Sequence, residues 1–270
     1  MLARQHANLG VIGMIGSAYG LTAIGNAHLS FLDEQINADL ISLTSPTTLL
    51  IFVIIGSAFA LVPDLDHPGS TVSRKFGILS QGASHLFGAV TGGHREASHS
   101  LLFSIICGLL GVGITLIPFR IGLTDTVSID SAQFFTGILF VMSVIFIIKL
   151  ILPLGIGKRY YTVLVLAAIV IASAFAIGDL IPSFGLGLAM FLGVNMHILG
   201  DSATPSKVKY LWPSRRKFGI NFNGKTGQER ELYVIQPLFI LGASALIIGT
   251  IIIPGFNQLS VAANQAVTYL

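Results

Sequence analysis

Residues 47–70 read TTLLIFVIIGSAFALVPDLDHPGS, and the change of character at Pro63 decides how the chain folds. The first part, 47–63, is continuously apolar and free of charge, the pattern of a membrane-spanning helix rather than of an alternating strand. The second part sets Asp64, Asp66 and His67 inside four residues at the end of that helix. Such groups beside hydrocarbon have two readings. They can be a wetted turn, since Asp-, Pro- and Gly-rich turns are common where helices stop. They can equally be ligands, because ionisable residues near a bilayer tend to be paired or functional.

Working outward, the composition places the apolar run in its class. Of 270 residues, 53% are apolar and only 10% are charged, with mean hydropathy +0.82. A soluble domain carries roughly 25% charged residues, so the sequence reads as an all-α, polytopic integral membrane bundle. Seven candidate spans lie at approximately 8–30, 47–63, 99–118, 132–152, 160–178, 184–200 and 232–254. The first, containing LGVIGMIGSAYGLTAIG, is rich in Gly and Ala and suits close helix packing. The fifth and sixth, joined by GDLIPS, form a helical hairpin. No linker or soluble second region is visible, so residues 1–270 read as one membrane domain with motif loops at 61–100 and 197–231. Cys107 is the lone cysteine and lies in an apolar run, which excludes a disulfide framework and a CxxC metal site. No Gly-x-Ser-x-Gly elbow or glycine-rich nucleotide fingerprint occurs, so serine-esterase and dinucleotide chemistry have no support. Nothing points to nucleic acid as a partner.

Charge placement sets an expected orientation. With the N-terminus in the cytoplasm, the inner loops and ends hold Arg4, Arg74, Lys75, Arg95, Lys149, Lys158, Arg159, Lys207, Lys209, Arg215, Arg216, Lys217, Lys225 and Arg230. These are fourteen of the fifteen basic residues, and only Arg120 falls outside. This positive-inside pattern predicts an inner (plasma) membrane protein whose motif loops face the cytoplasm. Trp212, in YLWPSRRKF, reads as an interfacial anchor beside a basic run able to meet anionic lipid.

The same topology gathers the polar residues. His6 precedes the first span, and Asp64, Asp66 and His67 follow the second. His94 and His99 sit in GGHREASHS before the third, His197 and Asp201 close the sixth, and Glu229 and Glu231 precede the seventh. All lie at the predicted cytoplasmic ends. His197 and Asp201 are four apart and share a helix face, either as a grip on one ion or as a wetted helix end. His94 and His99, five apart, do not share a face. The expectation is His94 in the loop and His99 in the first turn of the third span, with Ser98 as N-cap. Imidazoles and carboxylates together suit a borderline divalent ion, zinc above all, with manganese or iron where more oxygens take part.

Three ordered stretches, LVPDLDHPGS, GGHREASHSLL and HILGDSATPSKVKYLWPSRRKFGI, precede a Gly-x-x-x-Glu ending at Glu231. Together they resemble the motifs of the YdjM-like membrane-bound metal-dependent hydrolases of bacterial inner membranes. His6 matches a histidine usual near the start of that family, and the resemblance covers most of the chain from His6 to about Tyr233. It implies a hydrolase holding one or two divalent ions, with His6, Asp64, Asp66, His67, His94, His99, His197 and Asp201 as the ligand candidates. In that reading the ion activates a bound water, and Glu231 or Asp66 serves as general base. Arg95 stabilises charge on a phosphoryl or carboxyl oxygen. A site at the lipid–water boundary goes with membrane lipid, or with another amphipathic or phosphoester substrate. The chain departs from the pattern at Glu96-Ala97-Ser98, where Gly-x-Thr is usual, and at Ser206-Lys207, where Gly follows Thr-Pro. Both departures spare the ligand candidates and bear on the substrate instead. Spans four and five look like additions relative to shorter members.

Two rival readings come from other classes. Histidines and carboxylates in a helical bundle can pass an ion, as a transporter or sensor does, although here they crowd one face and the mid-spans lack a polar relay. A metal closed in by ligands, with no labile water, would instead staple the helices of a non-catalytic protein. His85 reads as a surface or packing residue, and His28 falls on the outer side away from the cluster.

Overall fold

The structure is a computed structural model, and it describes residues 3–27, 33–75, 78–118, 120–122, 128–151, 183–220, 231–255, 257–258 and 261. Helix α1 (Ala3–Asn26) is followed by a short α2 (Glu34–Ser42) and by α3 (Pro46–Phe59). A 3₁₀ turn at Pro63–Asp66 leads into α4 (Thr71–Lys75) and α5 (Ile78–Thr91), and a second at Ala97–His99 leads into α6 (Leu101–Thr115). A small antiparallel ribbon pairs β1 (Arg120–Gly122) with β2 (Ser128–Asp130), register Arg120 to Asp130. Then come α7 (Ser131–Ile151), α8 (Ser183–Ser202) and α9 (Gln236–Ile247), the last flanked by π-helical turns at Glu231–Ile235 and Ile248–Ile252.

Among the described residues, five stretches are long and apolar enough to cross a membrane: Gln5–Asn26, Pro46–Asp66, Ser131–Lys149, Phe184–Ser202 and Tyr233–Gly255. They coincide with the first, second, fourth, sixth and seventh expected spans. The third corresponds to α6, whose 15 residues rise only about 22 Å, short of the roughly 30 Å hydrocarbon core. The fifth, with the GDLIPS turn, lies outside the described residues.

Local chemistry explains the boundaries. Ser45 precedes Pro46, which occupies the first turn of α3, where a missing N–H costs nothing. Pro63 then ends the helical run and tightens the chain into the turn that carries Asp64 and Asp66. Helix α8 is the axis of the bundle, with α1, α3 and α6 packed on it. Phe52, Ile55, Met14, Leu186, Val194 and Ile198 fill the contact. Two crossings are glycine-tight: a Cβ on Gly193 would stand 2.2 Å from the Gly56 carbonyl oxygen of α3, and one on Gly187 would stand 2.4 Å from the Gly108 carbonyl oxygen of α6. Small residues let the backbones approach this closely, as they do between membrane helices generally.

The structure corrects three local expectations. Helix α1 begins at Ala3, so His6 sits on the helix instead of before it. Polar Gln5 and His6 look too wet for a span in sequence but are fully buried by packing. The N-cap of α6 is Ser100, whose side chain accepts from the Phe103 N–H, and not Ser98. Helix α5, absent from the sequence reading, carries its polarity inverted: Ser84 and Thr91 are buried while Leu86 and Val90 are exposed. Gly88 lets it lie against the Pro63–Asp66 turn, since a Cβ there would come 2.5 Å from the Asp66 carbonyl oxygen.

Candidate metal centre

Four separate pieces of chain deliver the polar cluster. The first turns of α1 bring His6, and the last turns of α8 bring His197 and Asp201 on one face. The turn after α3 brings Asp64 and Asp66, and the segment before α6 brings His94, Arg95, Ser98 and His99. That segment turns sharply: Gly92 and Gly93 hold φ of 81° and 104°, and Arg95 holds φ 64°, a left-handed conformation uncommon outside glycine. The turn points the Arg95 N–H at Asp66 Oδ2, 3.2 Å away.

The deep part of the cluster is dry. His6, His99 and His197 are completely buried and Asp201 is 1% exposed. His99 Nε2 faces His197 Nε2 at 3.1 Å, and the His6 and His197 rings stack with centroids 3.7 Å apart. Asp201 Oδ2 lies 3.5 Å from His99 Nε2 and 3.9 Å from His197 Nε2, while Oδ1 lies 3.3 Å from His6 Nε2. On the shallow side Asp64 Oδ1 is 3.8 Å from His197 Nε2. Asp64, His94 and His99 form a second group of converging ligand atoms beside the first, made of His6, His197 and Asp201.

Hydrogen bonds fix which nitrogens are free to ligate. His197 Nδ1 is 2.8 Å from the Ala60 carbonyl, so Nδ1 carries the proton and Nε2 offers its lone pair to the cluster. Asp66 organises the other side from beneath. Its Oδ1 is 2.7 Å from His94 Nδ1, and its Oδ2 receives the Arg95 N–H and the Ser98 hydroxyl and lies 3.3 Å from His99 Nδ1. A carboxylate behind a histidine is the usual device for orienting a metal-ligating imidazole. Burial alone would depress His99, but the Asp201 and Asp66 carboxylates outweigh it and raise its pKa to about 9.

These contacts fit a divalent cation. Both nitrogens of buried His6 lack a hydrogen-bond partner among the described residues, and the 3.3 Å approach to Asp201 is not aligned as one. With Nδ1 of His197 protonated, the 3.1 Å approach of His99 Nε2 to His197 Nε2 is held either by a proton on His99 Nε2 or by a cation shared between the two nitrogens. Two nitrogens on one zinc, each bonded at about 2.0–2.1 Å in near-tetrahedral geometry, stand roughly 3.3 Å apart. Imidazole with carboxylate is a donor set that borderline divalent ions such as zinc, manganese and iron accept.

Around the centre, Arg95 is bound by its Nη2 to Asp201 Oδ2 at 2.9 Å, and its Nη1 donates to Thr204 Oγ1 at 3.0 Å. Thr204 in turn donates to the Asp201 carbonyl at 2.7 Å. Glu96 pairs with Lys209 at 2.5 Å and so ties the loop to the strand-like segment after α8. A polar cleft of about 210 Å³ opens onto the cluster between Asp64, His67, Ser70, Arg74, His94 and Arg95. His67 is exposed at its rim and stacks on His94 with centroids 5.1 Å apart, clear of the deep group. Glu231 opens the final helical stretch, but its side chain, like Glu229, His28 and the basic residues at 225 and 230, lies outside the described residues. His85 is exposed on α5, and Cys107 is buried in α6. Sequence reasoning did not find Ser70 and Arg74 as cleft residues, or Ser98 and Thr204 as partners of the cluster. The Ser and Thr of the GGHREASHS and GDSATP stretches were the available signal, since hydroxyls beside buried charge tend to be hydrogen-bonded.

Comparison with known proteins gives the family. The family model described as YdjM inner membrane protein matches residues 1–256. The uncharacterized protein YvsG of Bacillus subtilis (strain 168) is 47% identical over 51 residues, which is 19% of this chain and 29% of that protein. The match therefore spans less than a third of that relative's length. No solved structure matches the chain.

Proposed function

The chain belongs to the YdjM inner membrane protein family, and we propose that its buried His/Asp cluster is the metal centre of a multi-pass membrane hydrolase, facing the cytoplasm and acting on a phosphoester or lipid-like substrate. The observation that carries this reading is the convergence of the His99 and His197 Nε2 atoms at 3.1 Å with Asp201 and the buried His6, whose Nε2 lies 3.3 Å from Asp201 without an aligned hydrogen bond. In this reading His6, His99, His197 and Asp201 hold one divalent ion, zinc first, and Asp64 with His94 extends the set toward the cleft for a second. A bound ion supplies Lewis-acid polarisation and a water of lowered pKa.

The protein's own residues supply the rest. Asp66, with both oxygens already engaged, acts as a positioning residue for His94 and His99 rather than as a base. With one ion bound, Asp64, which lines the cleft and is half-buried, takes the proton from the attacking water; where Asp64 ligates a second ion, Glu231 is the acceptor. Arg95, clamped by Asp201 and Thr204, holds its guanidinium at the edge of the centre, and Arg74 adds a second cation to the same cleft. Two guanidinium groups and hydroxyls from Ser70 and Thr71 suit a phosphoryl group better than a neutral ester.

The test is metal counting followed by turnover. Purified protein should hold one or two transition-metal ions per chain and hydrolyse a member of a phosphomonoester, phosphodiester and phospholipid panel. His99→Ala should abolish turnover while helical content is retained. Undiminished turnover in that variant, or ion flux into proteoliposomes in place of turnover, would overturn the hydrolase reading.

A further inference from the structure

A second cavity, apolar and larger, lies among the membrane-crossing helices. It measures about 480 Å³ and is walled by α1, α3, α7 and α9, within the roughly 300–1,000 Å³ of small-molecule sites. Its place relative to the cluster is set by helix register. Ala3 lines the polar cleft and Ala7 lines the apolar cavity, so the two openings lie one turn apart on one face of α1. On α3, Val53, Ile54 and Ser57 line the cavity, and Ala60, which holds His197, follows one turn after Ser57. The polar cleft is thus at the head of the apolar cavity.

We infer that this cavity receives the hydrocarbon tail of the substrate while the cleft holds its phosphate, so that the substrate class is a phosphorylated lipid. The inference rests on the hydrolase reading for the phosphate end and on the cavity alone for the tail. Ala243, buried in the cavity wall on α9, sets the space available, and the tail lies along Val53, Ile54 and Ile247.

The experiment labels the full-length protein in detergent micelles with a 1-acylglycerol 3-phosphate whose tail carries a diazirine, and maps the adducts by mass spectrometry. Adducts should concentrate at residues 7–11, 50–57 and 240–251. Adducts spread equally over outward residues such as Leu109, Met142 and Leu238, which are 67%, 60% and 62% exposed, would overturn the inference without any variant. Ala243→Phe, whose ring fills the cavity, should cut cavity labelling at least about tenfold with metal content unchanged; labelling at the wild-type level would overturn it. His99→Ala run in parallel separates the two readings. In the wild type, cavity labelling without any turnover leaves the tail site standing and the hydrolase reading fallen; in His99→Ala, labelling should persist while turnover is lost. Turnover of short soluble phosphoesters with no cavity labelling does the reverse.

Discussion

Asp66→Asn is the substitution that most sharply separates a positioning carboxylate from a ligand. Asp66 is 3% exposed and receives or faces four groups: His94 Nδ1, the Arg95 N–H, the Ser98 hydroxyl and His99 Nδ1. An amide offers one acceptor oxygen in place of two. It keeps most contacts by turning that oxygen to the Ser98 and His99 side, which sets its NH₂ against His94 Nδ1. His94 must then accept at Nδ1, so its proton moves to Nε2 and that nitrogen can no longer ligate. His99 loses the negative charge behind it as well. Loss of an orienting partner of this kind costs roughly 10–100-fold in metal affinity, or about 1.4–2.7 kcal/mol. Competition against a chromophoric chelator in detergent measures it, with circular dichroism as the folding control. The expected result is weakened binding at unchanged saturating stoichiometry, whereas Asp201→Ala should lower the stoichiometry itself. If Asp66→Asn binds no ion while Asp201→Ala binds normally, the roles assigned to the two carboxylates are reversed.

Four other outcomes follow from the same geometry. Metal removal by chelator should lower the thermal midpoint of the wild type and lower that of His197→Ala by less, because ligand at 100 times its Kd stabilises by about 2.7 kcal/mol and a weaker site stabilises by less; scanning fluorimetry with and without chelator reads both. Affinity should rise with pH, about tenfold per unit where one proton is displaced. The ion-free His99, raised to about 9 by Asp201 and Asp66 against the opposing effect of burial, holds a proton below that pH and must release it; calorimetry in two buffers should find about one proton released per ion. Gly193→Val would drive a side chain into the Gly56 carbonyl, 2.2 Å from the Cβ position, and should cost about 3 kcal/mol in denaturant unfolding. Lys209→Met removes the partly exposed pair with Glu96 and should cost less than about 1 kcal/mol, with metal content unaltered by mass spectrometry.

What the sequence made legible was set by period and by composition. Apolar runs near 20 residues announce spans directly, and the structure finds helices at each expected place within its described residues. The i,i+4 spacing of His197 and Asp201 similarly placed both on one face of α8. Other features left weaker traces. His6 and Gln5 look like pre-membrane residues because hydropathy counts polarity and not partners, yet helix packing buries them completely. Helix α5 escaped notice because its 14 residues are too few for a span and its polarity is turned, with Ser84 and Thr91 buried while Leu86 and Val90 are exposed. The role of Asp66 was hidden for another reason: its sequence neighbours resemble those of Asp64, and only the turn at Pro63–Asp66 sends one carboxylate to the cleft and the other beneath the histidines. Cavities are formed by side chains from four helices at once, and no single stretch of sequence carries them.

X-ray absorption at the zinc edge of protein purified from zinc-replete cells tests the central claim most directly. A site built from His6, His99, His197 and Asp201 predicts stoichiometric zinc with a first shell of nitrogen and oxygen at about 2.0–2.2 Å, outer-shell scattering from three imidazole rings, and loss of one ring's contribution in His197→Ala. Absence of bound metal, or a first shell of oxygen alone, would contradict the account.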